Sequence, residues 1–191
     1  MNYPELSLPQ RQKEEIHRIV SNASDRAGSI DSESILRSLQ ELVADEADLQ
    51  TCLADIVIPL LKASIDSPNP EAALNRFSRF AEASFNRRAL YQLLRDAPHF
   101  IRPVILTFGA STYLSEILIR TPEYFYDIID PNVMEHQKTS EMMYQELEQS
   151  ISRFASVEQK LRILRRYKRR ETLRIGPVSY THLTLPTKRI V

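Results

Sequence analysis

The residues best suited to chemistry form a basic run near the C-terminal end: Arg162, Arg165, Arg166, Lys168, Arg169, Arg170 and Arg174. A guanidinium is planar, always charged and able to grip two oxygens at once, so such a run suits phosphate. Arg165, Arg166, Arg169 and Arg170 are the candidates for a face turned to a nucleotide or to a neighbouring domain. The plainer reading is a solvated helix face, since the preceding segment is acidic at Glu141, Glu146 and Glu148. Nucleic acid is a third use for the same charges. A formal net charge of zero counts against it, because phosphate-backbone binding rests on excess positive charge.

Other constellations fall away on inspection. Gly28-Ser-Ile-Asp-Ser-Glu33 places a Gly-Ser pair before alternating acids, as nucleotidyl transfer requires. That use needs a strand to hold both carboxylates on one face. The stretch before it reads as a polar loop, and Asp31 or Ser32 serves better as a helix cap. Ser24-Asp25 lacks a second acid two residues on. His17, His99, His136 and His182 are scattered, and no His, Cys or acid spacing resembles a metal site, so no metal is expected here. Nor can a Ser-His-Asp or Cys-His arrangement be drawn, and no catalytic residue is assigned. Tyr124, Phe125 and Tyr126 are expected to pack in a core.

The elements that must position these residues read as helices. The 191 residues include three glycines, eleven prolines and no tryptophan, which suits helices punctuated by proline. Cys52 is alone, so no internal disulfide can form, and this fits a reducing cytoplasm. No apolar run approaches the roughly 18 residues of a membrane span. The N-terminus lacks an apolar signal core, so a cytoplasmic location is expected.

In chain order, a loose arm is expected to precede a short helix over about 10–20, and a loop to follow over 21–32. Ile35, Leu36, Leu39, Leu42 and Val43 form one helix face. After a break near Asp45, Leu49, Leu53, Ile56, Val57, Leu60 and Leu61 form another, with Pro59 expected to kink or divide it. Residues 64–70 are the strongest linker signal, ending in Asn69 as cap and Pro70 at a first helical position. The next faces are Leu74, Phe77, Phe80 and Ala81, then Ala89, Leu90, Leu93 and Leu94, then Phe100, Ile101, Val104, Ile105 and Phe108. Gly109 is expected to end the last of these in a left-handed conformation. Ser111 caps a helix with Tyr113, Leu114, Ile117 and Leu118 on its face, and Thr121-Pro122 opens another. Asp130-Pro131-Asn132 closes this central stretch. Met143, Leu147, Ile151, Phe154, Val157, Leu161 and Leu164 then mark one long amphipathic helix, or two with a break near Ser156. An uncovered seam at Phe154, Leu161 and Leu164 predicts self-association or a loosely packed end. No period-two strand is convincing over 1–176, and the expected fold class is all-α.

Three motifs carry a resemblance. Phe108-Gly-x-Ser-x-Tyr-Leu-Ser-x-x-Leu-x-x-x-Pro122, Asn75-Arg-Phe77 and Leu164-Arg-Arg-Tyr-Lys-Arg-Arg-Glu-Thr-Leu-Arg-Ile175 occur in order. Together they resemble the helical region of the glutamine synthetase adenylyltransferase/adenylyl-removing family, over about 74–176. The resemblance implies transfer of AMP from ATP to a tyrosine of glutamine synthetase and its phosphorolytic removal. It implies control by nitrogen-status signalling proteins, and Mg²⁺ and ATP as cofactors of the whole enzyme. The family's Gly-Ser-x-Ser-Asp-x-Asp motif, whose carboxylates hold Mg²⁺, is absent, so this stretch is expected to be inactive alone and to bind neither cofactor. Residues 1–69 are expected to be a variable arm with helices, and 70–176 the helical region before the catalytic core. Residues 178–187 translate GTC-TCT-TAT-ACA-CAT-CTG-ACG-CTG-CCG-ACG, a transposon-adaptor string, so 177–191 is expected to be adaptor-derived. The rival reading of the chain is a self-contained helical interaction module, although no internal repeat at a fixed period supports it.

Overall fold

Each apolar period closes into a helix in the computed structural model, which describes residues 8–27, 32–42, 47–129 and 138–183. The helices are α1 (Gln10–Ala27), α2 (Ser32–Leu42), α3 (Ala47–Ile65), α4 (Pro70–Ala83), α5 (Arg87–Asp96), α6 (Ile101–Ala110), α7 (Thr112–Arg120), α8 (Glu123–Ile129), α9 (Ser140–Ser152) and α10 (Val157–Leu183). A single 3₁₀ turn, Pro98–Phe100, joins α5 to α6. No strand occurs among the described residues, and the fold is all-α. None of the described helices is long and apolar enough to cross a membrane.

Side-chain caps set several helix starts. Asn69 accepts from the Ala72 N–H at 3.0 Å, with Pro70 opening α4. Asn86 accepts from the Ala89 N–H at 3.0 Å, Ser111 from Leu114 at 3.3 Å and Thr139 from Met142 at 3.3 Å. Each cap satisfies one of the orphan donors of its helix and contributes about 1 kcal/mol.

The core lies where α4 crosses α6 and α7, with α3 and α5 on one side and α10 on another. Its centre is aromatic. Phe80 stands 5.5 Å, centroid to centroid, from both Phe108 and Phe125, and Phe77 stands 6.3 Å from Phe80 and from Phe108. All four rings are buried, so three helices are tied at one point by tilted and edge-on contacts. Tyr91 is buried in the same core, and its hydroxyl donates to the Leu42 carbonyl at 3.1 Å.

The first two family motifs meet here. Arg76, of the Asn75-Arg-Phe77 motif, donates to the Phe108 carbonyl at 2.5 Å and to the Thr112 hydroxyl at 2.7 Å. It satisfies a free carbonyl at the C-terminus of α6 and grips the first turn of α7, so these residues have a structural task.

Several expectations need correction. Gly109 does not end α6 in a left-handed turn; it sits inside the last helical turn. A Cβ there would come within 2.6 Å of both heavy side-chain atoms of Ser67, so glycine is present to let α6 reach the 66–69 turn. The loop expected over 21–32 is helical as far as Ala27, because buried Ala23 extends the α1 contact. Pro59 does not divide α3, which runs through it. Thr121 closes α7 through its N–H to the Ile117 carbonyl, and α8 begins only at Glu123. Tyr113 is exposed, as is Ala89. Of the two forms allowed after residue 139, the structure takes two helices, parted at 153–156. The second runs past Gly176 to Leu183, into the stretch expected to be adaptor-derived, an expectation of origin on which the helix does not bear. The proposed breaks at Asp45 and at Asp130-Pro131-Asn132, the Asp31 cap and residues 184–191 lie outside the described residues.

Candidate functional site

The basic run lies on α10, and the helix divides it. At about 100° per residue, Arg162, Arg165, Arg166 and Arg169 fall on one side, while Arg170 and Arg174 fall on another. The first four line a groove of about 850 Å³ between α10 and the α7–α8 corner. Thr121, Glu123, Tyr124 and Asp127 form its opposite wall, and Ser156, Glu158 and Gln159 close one end. The groove exists because α10 is tied down only further along: Leu173 is fully buried, and a Cβ on Gly176 would strike Leu114 at 2.5 Å. The first half of the helix therefore stands off the body. The Tyr124 hydroxyl spans the gap weakly, donating to the Arg166 carbonyl at 3.5 Å.

The electrostatics of the groove are unusual for this molecule. Elsewhere arginines pair: Arg79 with Glu116 at 3.0 Å, Arg87 with Glu82 at 3.4 Å, Arg95 with Asp96 at 2.9 Å and Arg102 with Asp66. Among the described residues, none of the four groove guanidiniums lies within ion-pair distance of a carboxylate, although Glu123, Asp127 and Glu158 share the lining. Arg162 and Arg166, and Arg165 and Arg169, are like charges one turn apart, which costs a few tenths of a kcal/mol per pair. A cluster maintained at that cost is ready for an anion.

Arg170 belongs to the other face. There Lys138 donates to Glu146 at 2.5 Å and to Glu171 at 3.2 Å, and Glu171 accepts from Arg174 at 2.7 Å. Tyr167 donates to Glu146 at 3.1 Å and to the Met143 carbonyl at 3.2 Å. The side chains of Lys138, Glu171 and Arg174 are 13%, 8% and 10% exposed. Burial pushes the Glu146 carboxyl up, but the hydrogen bond and charge of Lys138 outweigh it and hold it below its ordinary value. Burial, then the neighbouring carboxylates, push the Tyr167 hydroxyl to about 12.

Thus three of the four site candidates, Arg165, Arg166 and Arg169, come together in the groove with Arg162, and Arg170 does not. The sequence reading missed the acidic wall and Lys138. The four-residue spacing of Glu123 and Asp127 on α8 was a legible sign of the wall; nothing local marked Lys138. Tyr124 and Phe125 pack in the core as expected, while Tyr126 is exposed. No group of three or more His, Cys, Asp or Glu placed to hold a metal ion occurs among the described residues.

The comparisons now bear on this geometry. Residues 101–189 match the sequence model of the family described as glutamate-ammonia ligase adenylyltransferase, a stretch that includes both walls of the groove. Over part of its length the chain is similar to the glutamine synthetase adenylyltransferase/adenylyl-removing enzymes. It is 29% identical over 129 residues to the bifunctional enzyme of that name from Mycolicibacterium smegmatis, covering 65% of the chain and 13% of that protein. With the enzyme from Bartonella quintana it shares 28% over 102 residues, 53% of the chain and 10% of that protein. With that from Mycobacterium leprae it shares 25% over 169 residues, 84% of the chain and 16% of that protein. The chain thus spans between a tenth and a sixth of the length of these relatives. No solved structure matches it significantly.

Proposed function

We propose that this chain is the helical region of an enzyme that transfers AMP from ATP to a tyrosine of glutamine synthetase and removes it by phosphorolysis. The printed names of the relatives support the activity and the substrate. The observation that carries the reading into this chain is the groove. Its two walls fall within the family-matched residues, and one wall presents four guanidiniums with no ion-pair partner among the described residues. In this reading the arginines face the nucleotide phosphates or the unit that holds them, and the packed helices keep the groove open. Mg²⁺ and ATP serve the whole enzyme at carboxylates outside the described residues, and this region alone is inactive. The protein works in the cytoplasm under nitrogen-status signalling.

The test is a chimera in which residues 70–176 replace the matching stretch of the Bartonella quintana enzyme. The chimera is expected to remove AMP from adenylylated glutamine synthetase. Changing Arg162, Arg165, Arg166 and Arg169 together to Gln is expected to lower turnover about tenfold or more, the loss of one or two charge-assisted contacts. A chimera whose turnover ignores that change counts against the groove. A correctly folded chimera with no activity counts against the family role and favours a helical interaction module.

A further inference from the structure

The third face of α10 has no use in the reading above. Val157, Leu161 and Leu164 are 70%, 44% and 42% exposed. With Lys168 and exposed Ile175 they fall on one line of the helix, at steps of four, three, four and seven residues. Steps alternating between four and three are the spacing of a two-helix seam. The line faces neither α9, which meets the Tyr167 side, nor the body, which meets Leu173 and Gly176.

We propose that this face binds a second copy of itself, with the two α10 helices antiparallel. The register follows from symmetry, since in a two-fold contact residue i meets j while j meets i. Placing Leu161 against Leu164 of the second copy also sets Leu164 against its Leu161. It brings Val157 onto the aliphatic stem of Lys168 at both ends, which long basic side chains allow. The charges at the margin agree with this register. Glu158 and Arg165 lie on the same flank of the line, seven residues apart. In the antiparallel pair each Glu158 falls within about one helical turn of Arg165 of the other copy, giving two symmetric ion pairs. A parallel pair would carry the two Arg165 to opposite flanks, each beside Lys160 of the other copy, a like-charge contact. The seam runs about 18 Å, from Val157 to Lys168. Seams of this length give weak, concentration-dependent dimers rather than obligate ones.

The experiment is sedimentation equilibrium of the whole chain across a wide concentration range. A monomer–dimer equilibrium is expected. Leu161→Glu is expected to raise the dimer dissociation constant about tenfold or more, since it sets two buried-seam carboxylates against leucines. The position is exposed in the monomer, so circular dichroism should be unchanged. Arg165→Glu is expected to weaken the dimer, and Glu158→Arg with Arg165→Glu to restore it. A strictly monomeric chain at every concentration overturns the proposal. So does a dimer indifferent to Leu161→Glu, or one in which the charge exchange fails to restore association.

Discussion

Two faces of the same helix treat their charges in opposite ways. Toward α9, α10 buries Glu171 and Arg174 in a network closed by Lys138, Glu146 and Tyr167, where the charged groups meet opposite charges or hydroxyls. Toward α8, Arg162, Arg165, Arg166 and Arg169 stand in an open groove with no carboxylate in reach among the described residues. The residue types are the same, so the difference is one of solvent. A charge removed from water must be matched or it costs several kcal/mol, whereas water screens an exposed charge and lets it wait for a ligand. The buried face therefore holds the helix in place, and the open face is available for binding.

The comparison can be broken at its strongest point. Glu171→Leu removes a buried carboxylate that accepts from both Arg174 and Lys138, and is expected to cost about 3–5 kcal/mol in denaturant unfolding. A loss below about 1 kcal/mol would mean that water already reaches the network. Arg76→Ala tests the support beneath both faces. It removes two hydrogen bonds joining α4 to α6 and α7 and is expected to cost about 1–3 kcal/mol, read as a shift in denaturant midpoint at constant slope.

The pH dependence sharpens the contrast at a smaller scale. Glu146 is held below 4.5, so the folded state gains stability once the pH is above that value and loses it as the pH falls through the folded value. Tyr167 and Tyr91 are both raised from 10.0 to about 12, so stability is complete below pH 10 and declines between 10 and 12. Lys138→Met is expected to flatten the acid limb of a melting-temperature profile. A profile unchanged by that variant would remove Lys138 as its cause.

The smallest expected effect lies on the open face. Replacing the four groove arginines with Gln should change stability by no more than about 0.5 kcal/mol, and in the favourable direction, because two like-charge pairs disappear. A loss above about 1 kcal/mol would show that the groove charges are structural and would remove the contrast between the faces.

Much of the helical layout was legible without coordinates. Asn69-Pro70 and Ser111 mark helix starts because capping is a contact between residues three apart. The periods at 74–81 and 101–108 identify core faces because helical spacing is local as well. The order of the three motifs pointed to the family. Other features depended on partners far along the chain. Gly109 looked like a helix terminator until Ser67, 42 residues earlier, proved to lie against it. Arg174 counted as one more basic residue until Lys138 and Glu171, 33 residues apart, met beside it. Leu161 and Leu164, expected in an uncovered seam, are exposed, while Phe154 in the break at 153–156 is half-buried. By itself the sequence determined where helices begin, which face of most is apolar and which family the chain resembles, since these depend on neighbours within a turn. Only the tertiary structure decided which charges of α10 are buried in a network and which stay open, because Lys138, Glu146 and the burial around them come from other parts of the chain.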